Sequence, residues 1–263
     1  MTDKRVFVLM TAYNRSKLTE NTIRSILPYK KDGVILIVVD DSDSDPYNPS
    51  ELNADVVWIK NRKWVSPVIT YNKGLEYINK KYSPEYDDVL IIQNAEGYHY
   101  GDIISYAKEN VTHENYISFA CLSLPKAFCE LGITDNRISG VCDCHTAVTN
   151  DDETVVGWYN HSDYYPRALD FCCAISWGNM KRLNGFDERY AKHTWFGDDD
   201  FRNRVKKLGL KVTIGNEEMP FVCHQWHSRN HQPYGFTEEA MKLYNKTSAE
   251  DNYSGYHVIT EDL

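Results

Sequence analysis

A chain of 263 residues with 42% hydrophobic and 25% charged residues is long enough for one large α/β domain or two small ones, and this ordinary composition excludes disordered and fibrous proteins. A net charge of −9, from 38 acidic and 29 basic residues, gives no general attraction to nucleic acid or anionic lipid, so no nucleic-acid partner is expected. No segment approaches the roughly 20 apolar residues of a membrane span, and no secretory signal precedes the first apolar run, so we predict a cytoplasmic protein without an integral membrane segment.

The N-terminal part of the sequence alternates strand-like and helix-like segments. Its apolar runs are continuous rather than alternating, which is typical of strands in a parallel sheet that is covered on both faces. The predicted strands are residues 6–11, 34–39, 55–59 and 88–92. Between them we predict a helix at residues 19–27 and a second helix to about Lys80, with Ser66 as N-cap and Pro67 as the first helical residue. This alternation indicates an open, doubly wound α/β sheet.

Polar residues follow three of these strands at the carboxyl ends, where doubly wound sheets bind their ligands. They are Thr11, Tyr13 and Arg15 after the first strand, Asp40 and Asp41 after the second, and Asn94 and Glu96 after the fourth. A strand-end carboxylate can accept a hydrogen bond from a uracil ring N–H, and a neighbouring aromatic ring can stack on the base. These residues predict a nucleotide site; the alternative is that the acids only cap a turn.

Asn94 and Glu96 lie two residues apart on an extended segment, so their side chains are predicted to face the same way. Together they could hold a hard divalent cation, Mn²⁺ or Mg²⁺, through oxygen. A further ligand would come from His224 or His227. Such a cation would neutralise charge on a departing diphosphate. The alternatives are a polar turn before Gly97 and imidazoles that are ordinary surface residues.

The middle of the chain, residues 121–167, is rich in turn formers, Tyr and His. We predict that it is irregular and serves as a lid or an acceptor-facing insertion. Beyond it the sequence predicts an apolar strand at residues 171–177, a helix at 198–208, a short strand at 211–214 and a helix at 237–244.

The seven cysteines lack the spacing of a disulfide framework, so mostly reduced thiols are expected. Cys142, Cys144 and His145 leave a zinc site open as an alternative, with Cys121 or Cys129 as a further ligand. Structural zinc sites usually carry cysteine pairs separated by about two to four residues, and this spacing disfavours the alternative.

Three consecutive aspartates, Asp198, Asp199 and Asp200, open a predicted helix. The helix dipole favours acids in the first turn, so capping is the alternative, but one or two acids are enough for that purpose. Gly197 leaves backbone room for a substrate, and an ionised aspartate beside it could take the proton of an attacking hydroxyl. Trp195 offers an apolar face for a sugar ring. We therefore predict an acceptor site here, with Trp195 and Asp200 as acceptor contacts.

With these residues assembled, the chain resembles family 2 type glycosyltransferases of the GT-A fold over roughly residues 5–228. Five family segments contribute: a strand with a Tyr-Asn pair, a strand ending in two aspartates, an Asn-x-Gly-Leu element, a Gly-Gly-Phe-Asp-Glu segment and a Glu-Asp-x-Asp-Leu element with a trailing Arg. In this order they resemble residues 11–15, 38–42, 71–75, 184–188 and 197–204. The family's Asp-x-Asp metal motif falls on Asn94-Ala95-Glu96, whose first acid is an amide here.

The resemblance implies an α/β fold with a Rossmann-like, mostly parallel open sheet, helices on both faces and an irregular acceptor-side region. It implies one domain over residues 1–263. This domain comprises a nucleotide-binding half (1–110), an acceptor and catalytic half (111–230) and a C-terminal tail (231–263).

The resemblance also implies roles for individual residues. Asp198 matches the general base of inverting members, with Asp199 as a substitute because Gly197 replaces the usual Glu. Glu96 and a late histidine, His224 or His227, would hold the cation. The residues expected to bind the nucleotide are Thr11, Tyr13, Arg15, Asp40, Asp41, Lys73 and Asn94, with Arg15 or Lys73 near phosphate.

The predicted activity is therefore that of a hexosyltransferase-like enzyme (EC 2.4). It would move a sugar from a nucleotide sugar, a UDP-sugar by resemblance or a GDP- or dTDP-sugar, to the hydroxyl of a glycan or other acceptor, with inversion. One alternative is a non-catalytic sugar-nucleotide or glycan-binding protein with a degenerate metal motif. Another is a nucleotidyltransferase, which is disfavoured because residues 11–17 lack the expected glycine-rich loop.

Overall fold

The computed structural model describes residues 4–48, 54–59, 66–148, 154–168, 171–193, 195–228 and 237–255. The described strands are β1 (Val6–Ala12), β2 (Val34–Asp40), β3 (Asp55–Trp58), β4 (Val89–Asn94), β5 (Gly97–Tyr100), β6 (Asn115–Ser118), β7 (Cys121–Ser123), β8 (Gly157–Asn160), β9 (Cys172–Ser176), β10 (Lys211–Ile214) and β11 (Phe221–His224). The described α-helices are α1 (Ser16–Ile26), α2 (Val68–Tyr82), α3 (Ile103–Asn110), α4 (Lys126–Glu130), α5 (Asp135–Ser139), α6 (Trp177–Leu183), α7 (Gly197–Lys207) and α8 (Glu238–Ala249).

The large sheet has seven described strands in the order β10-β6-β9-β4-β1-β2-β3. Strand β1 pairs in parallel with β2 and β4, β2 pairs in parallel with β3, and β6 with β10. Only β9 runs antiparallel to its neighbours in this sheet, β4 and β6. Strands β1, β2 and β4 are buried along almost their whole length. The mostly parallel open sheet predicted from continuous apolar runs is therefore confirmed.

Helices cover both faces of this sheet. Because successive strand residues point to opposite faces, Val6, Val8 and Met10 of β1 enter one apolar core while Phe7 and Leu9 enter the other. Helices α1 and α3 contribute to the first core, and α2, α6 and α7 contribute to the second. This layering leaves the loops at the carboxyl ends of the parallel strands free to form a binding site.

A smaller sheet of four described strands has the order β5-β11-β7-β8. Strands β7 and β8 and helices α4 and α5 all come from residues 121–167, so the prediction that this segment is irregular was wrong in part. These elements are three to five residues long, too short to show a clear hydrophobic period. Their stability comes from packing with distant segments, since Leu122, Trp158 and Phe221 share one core.

The small sheet also brings two distant polar residues together. Strand β11 ends at His224, which pairs with Gly97 at the start of β5. Glu96 directly precedes Gly97, so this pairing places Glu96 beside the end of β11. Glu96 and His224 are far apart in the chain, and the register of the pairing between β5 and β11 brings them together.

Other predicted elements are present, with ends that differ by a few residues. The start of α2 is a correction: the helix begins at Val68 with Pro67 as N-cap, so the predicted cap Ser66 lies outside it and no side chain caps the helix. Part of the predicted C-terminal tail, 231–236 and 256–263, lies outside the described residues. Of the helices in the described ranges, none has the length and apolarity needed to cross a membrane.

Gly74 packs α2 directly against the large sheet. A β-carbon at this position would lie 2.3 Å from Cδ1 of Leu9 and 2.9 Å from Cγ2 of Val39. We expect Gly74→Ala to lower the free energy of unfolding by about 1–3 kcal/mol, because overpacking outweighs the higher helix propensity of alanine. Urea unfolding measures this change. A loss no larger than that of Glu76→Ala, a half-exposed position on the same helix, would contradict the close packing.

Candidate active site

A cleft of about 470 Å³ opens at the carboxyl ends of β1, β2 and β4. The first turn of α7 and the segment after β11 also line it. The predicted site residues that line the cleft are Thr11, Tyr13, Arg15, Asp41, Asn94, Glu96, Asp198, His224 and His227. Side chains from both predicted halves of the chain thus share one cavity.

Glu96, His224 and His227 form a compact cluster in the cleft wall. One potential ligand atom from each lies within 4.8 Å of the other two. Oε1 of Glu96 is 3.6 Å from Nε2 of each imidazole. Glu96 and His224 are 5% and 7% exposed, so two of the three are shielded from solvent. Two imidazoles and a carboxylate are a common donor set for a divalent first-row metal.

The Glu96 carboxylate is held in its charged form by its neighbours. Burial alone would raise the pKa of Glu96, but Arg15, with Nη1 2.8 Å from Oε2, and the two imidazoles hold that pKa well below its usual value. Burial lowers the pKa of His224, which favours the neutral ring that a metal requires. Oε2 of Glu96 is buried, and no donor in the described part of the chain makes a well-directed hydrogen bond to it. The contact with Arg15 is therefore an ion pair, and the oxygen suits a cation.

Gln225 holds this cluster together and was missed by sequence reasoning. Its side-chain Nε2 donates to Oγ1 of Thr22 at 2.9 Å and to the carbonyls of Leu18 and Glu96 at 3.2 and 3.3 Å. Its backbone N–H donates to the same Glu96 carbonyl at 3.0 Å. Gln225 thus ties the end of β11 to α1 and to the backbone that carries Glu96. Its place beside His224 was the only signal in the sequence.

The three aspartates at the start of α7 have different environments. Asp199 pairs with Arg202 at 2.8 Å, and the buried Asp200 pairs with Arg204 at 2.7 Å. Asp198 lines the cleft and has no ion pair within the ranges that the structure describes. Burial, and then the neighbouring charge of Asp199, raise the pKa of Asp198. A carboxylate with a raised pKa is a stronger proton acceptor than an ordinary one.

The turn that leads into Asp198 has a strained backbone. Phe196 has a φ of 73°, in the left-handed region that aromatic residues rarely adopt. Its carbonyl accepts a hydrogen bond from the backbone N–H of Asp200 at 2.8 Å, and its ring stacks on Tyr244 with centroids 4.8 Å apart. These contacts hold the first turn of α7 in place. Backbone strain of this kind clusters at functional sites.

The adjacent acids Asp40 and Asp41 occupy different places. Asp41 is 2% exposed and lines the cleft. Asp40 does not line it: its two carboxylate oxygens accept hydrogen bonds from the backbone N–H groups of Ser42 and Tyr47, each at 2.7 Å. Consecutive residues of an extended chain point in opposite directions, which separates the pair. The structure thus gives Asp40 a role in shaping the loop instead of the predicted contact with a nucleotide.

Asn14, just after the neighbouring strand β1, shapes the same loop. Its φ of 51° is left-handed, a conformation that Asn tolerates better than most residues. Its Oδ1 accepts hydrogen bonds from the backbone N–H groups of Asp43, Ser44 and Asp45 at 3.2, 2.9 and 3.0 Å. Tyr13 adds a hydrogen bond from its hydroxyl to Asp43 at 3.1 Å. The ends of β1 and β2 are thereby fixed relative to each other.

Asn94 lines the cleft, but its oxygen is already engaged. The hydroxyl of Tyr71 donates to Oδ1 of Asn94 at 2.7 Å, and the ring of Tyr71 stacks on Phe186 with centroids 4.7 Å apart. Both aromatic rings line the cleft and were missed as site residues. The structure brings Glu96 together with both predicted imidazoles, while the sharing of one cation by Asn94 and Glu96 stays a prediction.

Other predicted residues lie off the cleft. Lys73 pairs with Glu76 at 3.3 Å on α2 and does not line the cleft. Trp195 is 52% exposed and does not line the cavity. Asp199 and Asp200 are likewise not in its wall, since each faces an arginine.

The zinc alternative finds no support. All seven cysteines have free thiols. In the part of the chain that the structure describes, Glu96, His224 and His227 are the only three His, Cys, Asp or Glu residues close enough to share one ion. His145, the histidine of the proposed zinc group, instead contacts the hydroxyl of Tyr164 through its Nδ1.

No protein-family model and no curated protein sequence matches the chain. Among solved structures, its fold is similar to that of the mannosyltransferase PcManGT from Pyrobaculum calidifontis in complex with GDP-Man and Mn²⁺, with a TM-score of 0.54 and 15% identity over 94% of this chain and 70% of that chain. It is also similar to residues 1–349 of TarS from S. aureus in complex with UDP-GlcNAc, with a TM-score of 0.59 and 12% identity over 92% of this chain and 66% of that chain. At such low identity the likeness extends to the fold alone.

Proposed function

We infer that this chain, which has the GT-A fold, is a glycosyltransferase that moves a sugar from a nucleoside diphosphate to an acceptor hydroxyl. The observation that carries the inference is the shared cleft: Asp198 opens onto the same cavity as Glu96, His224 and His227. A direct displacement at an anomeric carbon needs both a proton acceptor for the incoming hydroxyl and stabilisation of the departing diphosphate. In this cavity Asp198 is the candidate proton acceptor, and Glu96, His224 and His227 are the candidate ligands of a cation that stabilises the diphosphate.

Asp198 is the general base in this proposal. Its carboxylate takes the proton of the acceptor hydroxyl as the hydroxyl oxygen bonds to the anomeric carbon and the bond to the diphosphate oxygen breaks. The configuration inverts because the hydroxyl arrives opposite the leaving group. The raised pKa of Asp198 supports this role, whereas Asp199 is paired with Arg202 at 2.8 Å.

Glu96, His224 and His227 would hold the divalent cation. The buried Oε2 of Glu96 and the lowered pKa of His224 support the fit. The two nitrogen ligands favour Mn²⁺ over Mg²⁺, which prefers oxygen ligands and retains several waters. When bound, the cation neutralises negative charge on the leaving diphosphate.

The nucleotide is assigned to the ends of β1 and β2. Tyr13 offers a ring for the base and Asp41 an acceptor for base or ribose, while Arg15 and Lys17 supply positive charge to the same cleft. We favour UDP as the nucleotide. The two similar solved structures hold UDP-GlcNAc and GDP-Man, so both nucleotides belong in the test.

A panel of UDP-, GDP- and dTDP-sugars, incubated with Mn²⁺, Mg²⁺ or EDTA, tests the proposal. We expect slow hydrolysis of at least one donor with Mn²⁺ and its loss with EDTA. Glu96→Gln should lower this rate by at least about 10- to 100-fold, which is the effect of losing even an indirect metal contact. Glu217→Gln is the matched control, because Glu217 also pairs with a histidine, His161 at 2.6 Å, but outside the cleft.

Calorimetry with UDP and GDP completes the test. Nucleotide binding without hydrolysis or transfer of any donor would contradict the proposed glycosyltransferase activity. It would favour a non-catalytic sugar-nucleotide-binding protein. Hydrolysis that is equally fast in EDTA would support the enzymatic activity but contradict a role for the cation.

A further inference from the structure

Arg15 contacts two of the three residues in the cation-binding cluster at once. One terminal nitrogen, Nη1, lies 2.8 Å from Oε2 of Glu96. The other, Nη2, lies 3.3 Å from Nδ1 of His227. Oε1 of the same carboxylate faces Nε2 of His227 at 3.6 Å. The guanidinium therefore already pairs with the carboxylate, and contacts one of the two imidazoles, that a divalent cation would need.

The contact between Arg15 and His227 restricts where the imidazole can carry its proton. Nδ1 of His227 lies 3.3 Å from both Nη2 of Arg15 and the carbonyl oxygen of Ser228, and it cannot accept from the first while it donates to the second. A guanidinium only donates hydrogen bonds, so a hydrogen bond from Arg15 uses the lone pair on Nδ1 and requires the N–H on Nε2, toward Glu96. A metal bound through Nε2 needs the opposite tautomer, in which Nδ1–H donates to the carbonyl of Ser228 at 3.3 Å. A metal bound through Nδ1 would take the lone pair that Arg15 uses. Arginine contact and metal ligation at His227 therefore exclude each other.

We propose that Arg15 is a built-in competitor of the divalent cation, which occupies Glu96 and His227 in the free protein and is displaced when the cation binds. Arg15 lines the cleft, so its displaced guanidinium stays within reach of a bound diphosphate. A diphosphate that attracts Arg15 also frees His227, so nucleotide and cation strengthen each other's binding by linkage. This coupling to a diphosphate rests on the proposed function, whereas the competition for His227 does not.

Binding of Mn²⁺ alone to the free protein, measured by electron paramagnetic resonance, tests the competition. Arg15→Met keeps the length of the side chain but removes its charge and donors, and it should tighten Mn²⁺ binding by roughly 5- to 150-fold, the usual range for coupled sites. Arg24→Met is the matched control: it removes the same charge from α1, where Arg24 pairs with Glu20 at 2.7 Å, and should leave Mn²⁺ binding unchanged. Equal or weaker Mn²⁺ binding by Arg15→Met would overturn the proposal, as would equal tightening in both variants.

A second measurement does not use the Arg15→Met variant. The ¹⁵N shifts of the His227 ring in the metal-free wild-type protein, assigned with His227→Gln, should show the proton on Nε2. Addition of Zn²⁺, a diamagnetic ion that takes imidazole ligands, should then change them. A metal-free ring with its proton on Nδ1 would overturn the proposal. Neither measurement involves a sugar donor, so loss of the competition and loss of the glycosyltransferase function are distinguishable results.

Discussion

Asp198→Asn is expected to lower the rate of glycosyl transfer by about 10²- to 10⁴-fold, the usual contribution of a general base. The amide keeps the shape of the side chain but cannot accept a proton from the acceptor hydroxyl. Nucleotide affinity should be unchanged, because Asp198 belongs to the first turn of α7 and the nucleotide is assigned to the ends of β1 and β2. Turnover of the donor found with the panel, and calorimetry with its nucleotide, measure the two effects.

The pH profile separates a base from a merely structural residue. A general base acts in its ionised form and the pKa of Asp198 is raised, so under the proposal the wild-type rate should fall as pH drops through that raised value. Asp199→Asn removes the second cause of the rise and should shift the acidic limb to lower pH without a large loss of maximal rate. Transfer by Asp198→Asn at the wild-type rate would remove Asp198 from the base role.

Asp200→Ala is expected to lower the free energy of unfolding by about 3–5 kcal/mol, because it leaves the charge of Arg204 buried without a counterion. Both residues are 3% exposed, and Nε of Arg204 lies 2.7 Å from the carboxylate. The same guanidinium donates to the carbonyls of Leu183 and Gly185 at 3.0 and 2.9 Å. The pair therefore anchors α7 to the segment that follows α6. Urea unfolding measures the loss.

Asp199→Ala is the matched comparison for this prediction. It removes the neighbouring carboxylate, whose pair with Arg202 is closer to solvent, and should cost about 1 kcal/mol or less. Replacing both partners by apolar residues, Asp200→Leu with Arg204→Met, should recover part of the lost stability. Similar losses in the free energy of unfolding for Asp199→Ala and Asp200→Ala would contradict a larger contribution of the buried pair to stability.

The sheet could be predicted from the sequence because its strands carry a strong local signal. The apolar runs of β1 and β2 end in polar residues, and the same short segments then form the cleft edge. The short strands of residues 121–167 gave no such signal, since each is too brief to show a period and is stabilised by partners far along the chain.

Within the site, residue type could be predicted more readily than residue contacts. Glu96 and the two late histidines were selected for their chemistry, and the structure places them together. Which way Asp40 and Asp41 face depends on the exact end of β2, which sequence patterns do not determine. The pairing of Arg15 with Glu96 depends on the register of two separate strands, β1 and β4, and the sequence suggested a phosphate contact for Arg15 instead.

Gln225 has a consequence for how the molecule is assembled. Its hydrogen bond to Thr22 joins residues 203 positions apart, and it follows every described strand of the seven-stranded sheet in the chain. During synthesis those strands leave the ribosome first and can pair before residue 225 emerges. The cavity therefore acquires both imidazoles and the hydrogen bonds of Gln225 only after the strands of the large sheet have been made, so a nascent chain that has already built most of its sheet still lacks two of the three residues of the proposed cation site.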